Sequence, residues 1–172
     1  MPVLLTASRE VPIATPGVDL NATGELAELF RRARASGKVA VSGRMRLERP
    51  GEKAAHVIYA ALPVYAPGQP GRATAAEPAD PLGFVIGVYD IEELVHVAIS
   101  LLEPRGVEVL VLDASAEGEA QFLHFYASRL EPRAVAAASG LLPEADEGQP
   151  RMVVTIPVGD RQWTVTCVAT HT

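Results

Sequence analysis

The sequence has little of what chemistry usually requires. Its 172 residues include a single cysteine, Cys167, which excludes an intrachain disulfide and a cysteine metal framework. A disulfide-free chain fits the cytosol. It fits a secreted or periplasmic domain equally well, because a chain this long can bury a core without a covalent staple. Aromatic residues make up 5% of the chain, and lysine occurs only at Lys38 and Lys53. The formal net charge is −6 and the sequence pI about 5.2. Phosphate neutralisation needs a concentrated basic surface, so the charge argues against a nucleic-acid partner. Thirteen of the fifteen basic residues are arginine, clustered only at Arg31, Arg32 and Arg34 and again at Arg44, Arg46 and Arg49. Both clusters read as solvated faces in preference to anion sites. No run reaches the roughly 18 apolar residues of a membrane span. The opening MPVLLTASRE has neither the basic start nor the long apolar core of a signal peptide. A Met followed at once by strand-like residues also suits a piece cut from something longer.

Catalytic patterns are missing as well. The four histidines, at 56, 96, 124 and 171, show no paired metal-ligand spacing. Glu93 and His96 have the i, i+3 spacing of di-metal bundles, but the second such helix those sites need is absent. Asp90, Glu92 and Asp113 are explained by a helix cap and a loop. Ser42 and Ser100 lack the G-x-S-x-G context of a nucleophile elbow, and neither a P-loop nor a G-x-G-x-x-G occurs. Gly83 and Gly87 form a G-x-x-x-G inside a strand, where glycine marks a bulge or a close approach. Cys167 falls on an apolar face and reads as core. No catalytic residue, metal site or cofactor is expected.

What is present is a sequence of well-marked elements. Pro2–Thr6 is a short strand, and Arg9–Leu20, with two prolines, is a loop. A helix is predicted from Asn21 or Thr23, because Leu26, Leu29, Phe30 and Ala33 fall at i, i+3, i+4, i+7 and Gly37 is a natural stop. Lys38–Ser42 is strand-like, with Met45–Leu47 as a continuation past Gly43, and a Pro-Gly turn follows within Arg49–Lys53. Val57–Tyr65 is a strand whose second half Pro63 confines to an edge or bulge, and Ala66–Ala79 is a surface loop. Gly83–Tyr89 is a strand that alternates Phe84, Ile86 and Val88 against Val85, Gly87 and Tyr89.

Asp90 caps the next helix, with Glu93 three residues on. Its predicted apolar face is Ile91, Leu94, Val95, Ala98, Leu101 and Leu102, and Pro104 ends it. Strands are predicted at Val107–Leu112 and Gln121–Tyr126, with the Asp113–Glu119 loop between them. Glu131–Pro150 is irregular, with one helical turn at Arg133–Ala138. Met152–Val158 and Arg161–Ala169 form a hairpin about Gly159-Asp160, as a type II′ turn favours. In its second strand Trp163, Val165, Cys167 and Ala169 are expected inside.

The chain is organised around His56–Val97, two apolar strands joined by a polar loop and closed by a capped helix. Ala60, Ala61 and Gly87 leave these strands short of side-chain bulk. Tight helix-on-sheet packing explains that. So does a cavity over the sheet, with Tyr59 or Phe84 at its ends and the Leu26/Phe30 helix closing it.

The order RRARASGKVAVSGRMRL (31–47), HVIYAALPVYAPG (56–68) and PLGFVIGVYDIEELV (81–95) resembles the CHASE domain. The early Gly17-Val-Asp-Leu20 and the late Gly159-Asp-Arg-Gln-Trp163-Thr-Val are similar to further motifs of that family. The resemblance is good over about residues 15–100 and looser in the C-terminal hairpin. It implies an extracytoplasmic sensor of a membrane-bound histidine kinase, diguanylate cyclase or related receptor. Two PAS-like lobes are implied, the membrane-distal one binding a small ligand over its sheet, with a long N-terminal helix that dimerises. By position it assigns Ser42, Glu48, Ala61, Phe84 and Gly87 to places that line or adjoin the pocket, and Tyr59 joins them from the strand reading. Two departures matter. The long helix and the flanking membrane segments are missing. Leu26 also stands where the cytokinin receptors of the family use a carboxylate on the adenine ring, so a purine edge loses its charge-assisted hydrogen bond and cytokinin is not the expected ligand.

The expected fold is therefore α+β, two PAS-like lobes with antiparallel sheets flanked by helices. The distal lobe spans residues 1–103 and the proximal lobe 104–172. The expected function is a small-molecule-sensing input domain, homodimeric in the full-length protein and tied to the membrane only through segments outside this chain. The rival reading is a PAS-like interaction module with a filled core and no ligand. An enzyme comes third.

Overall fold

In a computed structural model the described residues are 17, 19–48, 53–67, 80–100, 106–128 and 150–169. The expected strand at Pro2–Thr6 and helical turn at Arg133–Ala138 lie outside them. So do Pro104 and most of the expected loops at Arg9–Leu20, Arg49–Lys53, Ala66–Ala79 and Glu131–Pro150. Two helices and eight strands are present among the described residues, and every strand pairing whose register is resolved is antiparallel. The fold is mixed α/β, as expected. The chain divides into two compact units, residues 1–42 with 59–88 and residues 43–58 with 89–172.

The first unit begins with a 3-10 turn, Leu20–Ala22, where the sequence reading placed loop and helix cap. Helix α1 follows at Gly24–Ser36. Thr23 holds the extended N-cap conformation but makes no side-chain cap bond, so the cap is one of backbone shape alone. Gly37 ends the helix with φ +68°, and its N–H donates to the Ala33 carbonyl. Only glycine adopts that left-handed turn without strain. Leu26, Leu29, Phe30 and Ala33 are the buried stripe, as their spacing requires. The helix packs on strand β1 (Ala40–Val41), which pairs with β3 (Ala55–Val64), and Phe30 reaches β4 (Gly83–Asp90). The Phe30 and Phe84 rings meet at 5.0 Å with a 44° tilt.

Strand β3 is longer than its sequence signal and contributes to both units. Its later residues pair with β1, Ala40 opposite Ala61 and Val41 opposite Ala60. Its earlier residues pair with β2 (Met45–Leu47), Met45 opposite Val57. From Val41 to Met45 the chain takes four steps while β3 takes three, so one extra residue is accommodated in between. Ser42 sits at this departure. Its N–H donates to the Tyr59 carbonyl at 2.8 Å, and its hydroxyl accepts from the Tyr59 N–H at 2.9 Å. A hydroxyl thus takes the place of the ladder carbonyl where the strand leaves register.

The second unit is built on a four-stranded sheet ordered β6-β5-β8-β7, with β5 at Val107–Asp113, β6 at Phe122–Tyr126, β7 at Arg151–Val158 and β8 at Arg161–Ala169. The β7–β8 hairpin turns at Gly159, whose φ of +61° is the value a primed turn needs at its first central residue. Helix α2, Ile91–Ser100, is capped as expected. The Asp90 carboxylate accepts from the N–H groups of Glu92 at 2.9 Å and Glu93 at 3.2 Å.

Two expectations are corrected here. The buried stripe of α2 is Ile91, Val95 and Ile99, a strict i, i+4 row, while Leu94 and Ala98 lie on the exposed flank, and Leu101 and Leu102 lie outside the described residues. In β8 the faces are not inside and outside. Trp163 is buried on one, but Thr166 and Val168 are buried on the other, so buried side chains occur on both faces of the strand.

One polar contact ties this sheet together at its end. The Arg161 Nε donates to Asp113 Oδ2 at 2.6 Å, and the Ser115 N–H donates to Asp113 Oδ1 at 3.0 Å. The Gln162 N–H donates in turn to Ser115 Oγ at 2.9 Å. The arginine of the hairpin is thereby fastened to the loop that leaves β5.

Candidate functional site

The residues singled out by sequence fall into three groups. Leu26 and Ala61 are fully buried in the core of the first unit, and Phe84 is its aromatic contact to α1. Ser42 and Tyr59 form the paired hydrogen bonds described above. The hydroxyl of Tyr59 is held above the usual tyrosine range by burial. Glu48 stands apart: it belongs to the second unit, is exposed, and pairs with Arg46 at 3.2 Å.

Phe84 and Gly87 are separated by three residues on β4, so strand alternation puts them on opposite faces. Phe84 looks to α1. Gly87 shares the other side with Val85, which is 61% exposed. On β3 the same contrast appears, Leu62 and Val64 exposed against Ala61 and Pro63 buried. Leu82, at the start of β4, is 74% exposed. The first unit therefore has a face sealed by α1 and, among the described residues, exposed apolar side chains away from it. The arginines of α1 are engaged: Arg31 with Glu28, Arg34 with Asp80, and Arg32 with the Val41 carbonyl at 2.8 Å. Arg31 and Arg34 are exposed, as a solvated face has them, while Arg32 is turned to the backbone of β1.

Two polar groups that the sequence reading passed over are conspicuous. The Tyr65 hydroxyl, in the first unit, is buried without a hydrogen-bond partner among the described residues. The Glu108 carboxylate, in the second, is buried, and its Oε1 has no partner among the described residues. Tyr65 closes the Leu62-Pro-Val-Tyr65 segment, read there only as strand. Glu108 is the lone charge inside an apolar run, Val107 to Leu112, and that isolation was the available signal.

No cluster of three or more metal-ligating side chains exists among the described residues. No helix among them is long and apolar enough to cross a membrane.

In the second unit, α2 packs against β6. Burial holds the His124 imidazole below the usual histidine range, with Glu92 and Asp90 opposing that shift and His96 adding to it. His56 is shifted the same way, by burial first and then by Arg44 and Arg46. The folded state thus keeps both rings neutral at a pH where the unfolded chain, with an ordinary value of about 6.5, binds a proton. Stability from this source is complete above that value and falls as the pH drops through it. A urea midpoint lower at pH 5.5 than at pH 7.5 is expected, with a difference that shrinks in His124→Gln.

A protein-family comparison matches residues 6–124 to the CHASE domain. The chain belongs to that family, the extracytoplasmic sensor input domains of signalling receptors. No match to a curated protein was found. The family match stops before β7 and β8, so the Trp163 motif lies beyond it.

Proposed function

We propose that this chain is the small-molecule-sensing input domain of a membrane-bound receptor whose output is a histidine kinase or diguanylate cyclase. The ligand lies over the distal, PAS-like lobe, residues 1–103. The proximal lobe, 104–172, passes the signal on within a homodimer. The observation that supports this most is the uncovered apolar side of the first unit, where Val85 and Leu82 are exposed and Gly87 leaves room on the strand. A small ligand gains about 25 cal/mol for each Å² of apolar surface it removes from water there. Gly87 supplies the space on that side. Leu26, Ser42, Ala61 and Phe84 hold the strands beneath, and Glu48 lies outside this set. With Leu26 at the purine-reading position, the ligand is one that does not depend on a carboxylate. Signalling requires that it bind one of two dimer arrangements better than the other.

The test is thermal shift against purines, aromatic acids, amino acids and organic acids. At a hundred times its Kd a true ligand adds about 2.7 kcal/mol. Gly87→Leu is expected to remove that gain while the unliganded chain unfolds at nearly its original temperature. A gain unchanged in Gly87→Leu refutes the placement. Absence of any hit across the set, with a dimer detected by sedimentation, supports the interaction module in its place.

A further inference from the structure

Strand β7 is exposed along almost its whole length. Its large apolar residues, Met152, Val153, Val154 and Ile156, are between 39% and 59% exposed. It is an edge of the second sheet, with β8 on one side and no strand among the described residues on the other. Its register with β8 runs unbroken from Arg151 to Val158. The opposite edge, β6, is shorter, has a register irregularity against β5 and has α2 packed on it. Those are devices that keep an edge from pairing. From Met152 to Ile156, β7 has no charge, no proline and no bulge.

The backbone groups of β7 turn alternately to β8 and to the free edge. The Pro150 carbonyl accepts from the Ala169 N–H, so the even-numbered residues of β7 face β8. Gln162, opposite Pro157, gives its N–H to Ser115 Oγ, and its carbonyl accepts from the Ala114 N–H, so the Pro157 position faces away. Arg151, Val153 and Thr155 therefore present N–H and carbonyl groups at the free edge, and Pro157 presents a carbonyl alone. A second copy of β7, antiparallel about Val154, matches this edge. Met152 falls opposite Ile156 of the second copy and Val154 opposite Val154, an unbroken apolar row. Val153 and Thr155 of the two copies exchange both hydrogen bonds, and the Arg151 N–H meets the Pro157 carbonyl. The proline's missing N–H then costs only a bond at the rim, where water replaces it. Charge favours the same direction. Arg151 is the one charged residue of the strand, and antiparallel pairing holds the two copies of it about 20 Å apart. An in-register parallel pairing sets them side by side.

We propose that β7 is a contact surface between two copies of this chain, paired antiparallel about Val154 so that their four-stranded sheets join edge to edge. Each copy spends its open edge once, so the assembly closes at two. The strand pair lies at the small end of specific interfaces, below about 1,200 Å², which suits a dissociable dimer with a micromolar Kd. It supplies a contact for the homodimer of the proposed function, and its part in signalling rests on that reading, whereas the pairing itself needs no ligand.

The experiment is sedimentation equilibrium of the whole chain from about 1 μM to about 1 mM, where a reversible monomer–dimer equilibrium is expected. Val153→Pro removes an outward N–H and no bond to β8. Val154→Lys sets two like charges directly opposite each other. Each is expected to raise Kd by at least about tenfold. Cysteine cross-linking in a Cys167→Ser background reads the register, and covers a proline or lysine variant that does not fold. Val154→Cys is expected to link two copies, because opposed residues between the hydrogen-bonded pairs have Cα atoms about 4.5 Å apart, within disulfide reach. Val153→Cys, set diagonally to its own copy, is expected not to. A chain monomeric throughout overturns the proposal, as does cross-linking equally ready at both positions. A dimer whose Kd neither strand variant moves overturns this surface and leaves the homodimer standing. Ligand-induced shifts in Tm are read separately, so neither result decides the pocket.

Discussion

Replacing Asp113 with alanine is expected to cost about 3 kcal/mol of folding free energy, and to lower Tm by about 10 °C. The side chain of Asp113 is 1% exposed and that of Arg161 is 14% exposed. Their attraction is therefore not screened as a surface pair's would be. Removing a buried partner leaves the other charge uncompensated, and such losses run from about 3 to 5 kcal/mol. The lower end applies because Arg161 retains some access to water. Alanine also orphans the Ser115 N–H, which Asp113 Oδ1 accepts. Asp113→Asn keeps an acceptor for that N–H and should lose less. The distinguishing measurement is a double-mutant cycle by urea denaturation. If Asp113→Ala and Arg161→Ala add without coupling, the pair does not act as described.

The second large effect belongs to the first unit. Phe30→Ala is expected to destabilise by about 3 to 5 kcal/mol, the range for deleting a buried aromatic side chain. Phe30 is 5% exposed and its ring is the one that meets Phe84. Its loss opens a void between α1 and β4 that neither element closes without bending, and it forfeits the ring–ring contact as well. Phe30→Leu refills most of the volume and should recover about half of the loss. Equal midpoints for the alanine variant and the original chain would place the aromatic contact outside the core.

What could be read from the sequence and what could not follow a physical division. Local rules were legible: the Gly37 stop, the Asp90 cap and the Gly159 turn each depend on one or two residues and their immediate backbone. The stripe on α1 was legible too, because period 3.6 is enforced by the single face that helix buries. The reading of β8 failed because alternation reports burial only when a sheet has one wet face. Thr166 is polar and buried, and what packs over a strand's face is not written in the strand.

The same division runs through the candidate site. Alternation within β4 was readable and already separates Phe84 from Gly87. Which of those faces α1 seals depends on Phe30 reaching across more than fifty residues of sequence, and no pattern in either segment encodes that. Glu108 and Tyr65 went unremarked for a related reason. A polar residue in an apolar run is unusual, but whether it finds a partner depends on what the fold brings opposite.

The order of the second sheet carries a lesson about where this domain can be cut. Its central strands, β5 and β8, come from opposite sides of the point at which family resemblance stops, residue 124. A fragment ending there would keep Asp113 and lose Arg161, and would keep β5 with one whole edge of its hydrogen-bonding groups unmet. The stretch over which kinship is recognisable is thus shorter than the stretch that must be made together. A gene fusion or expression boundary drawn at the former would divide a single sheet.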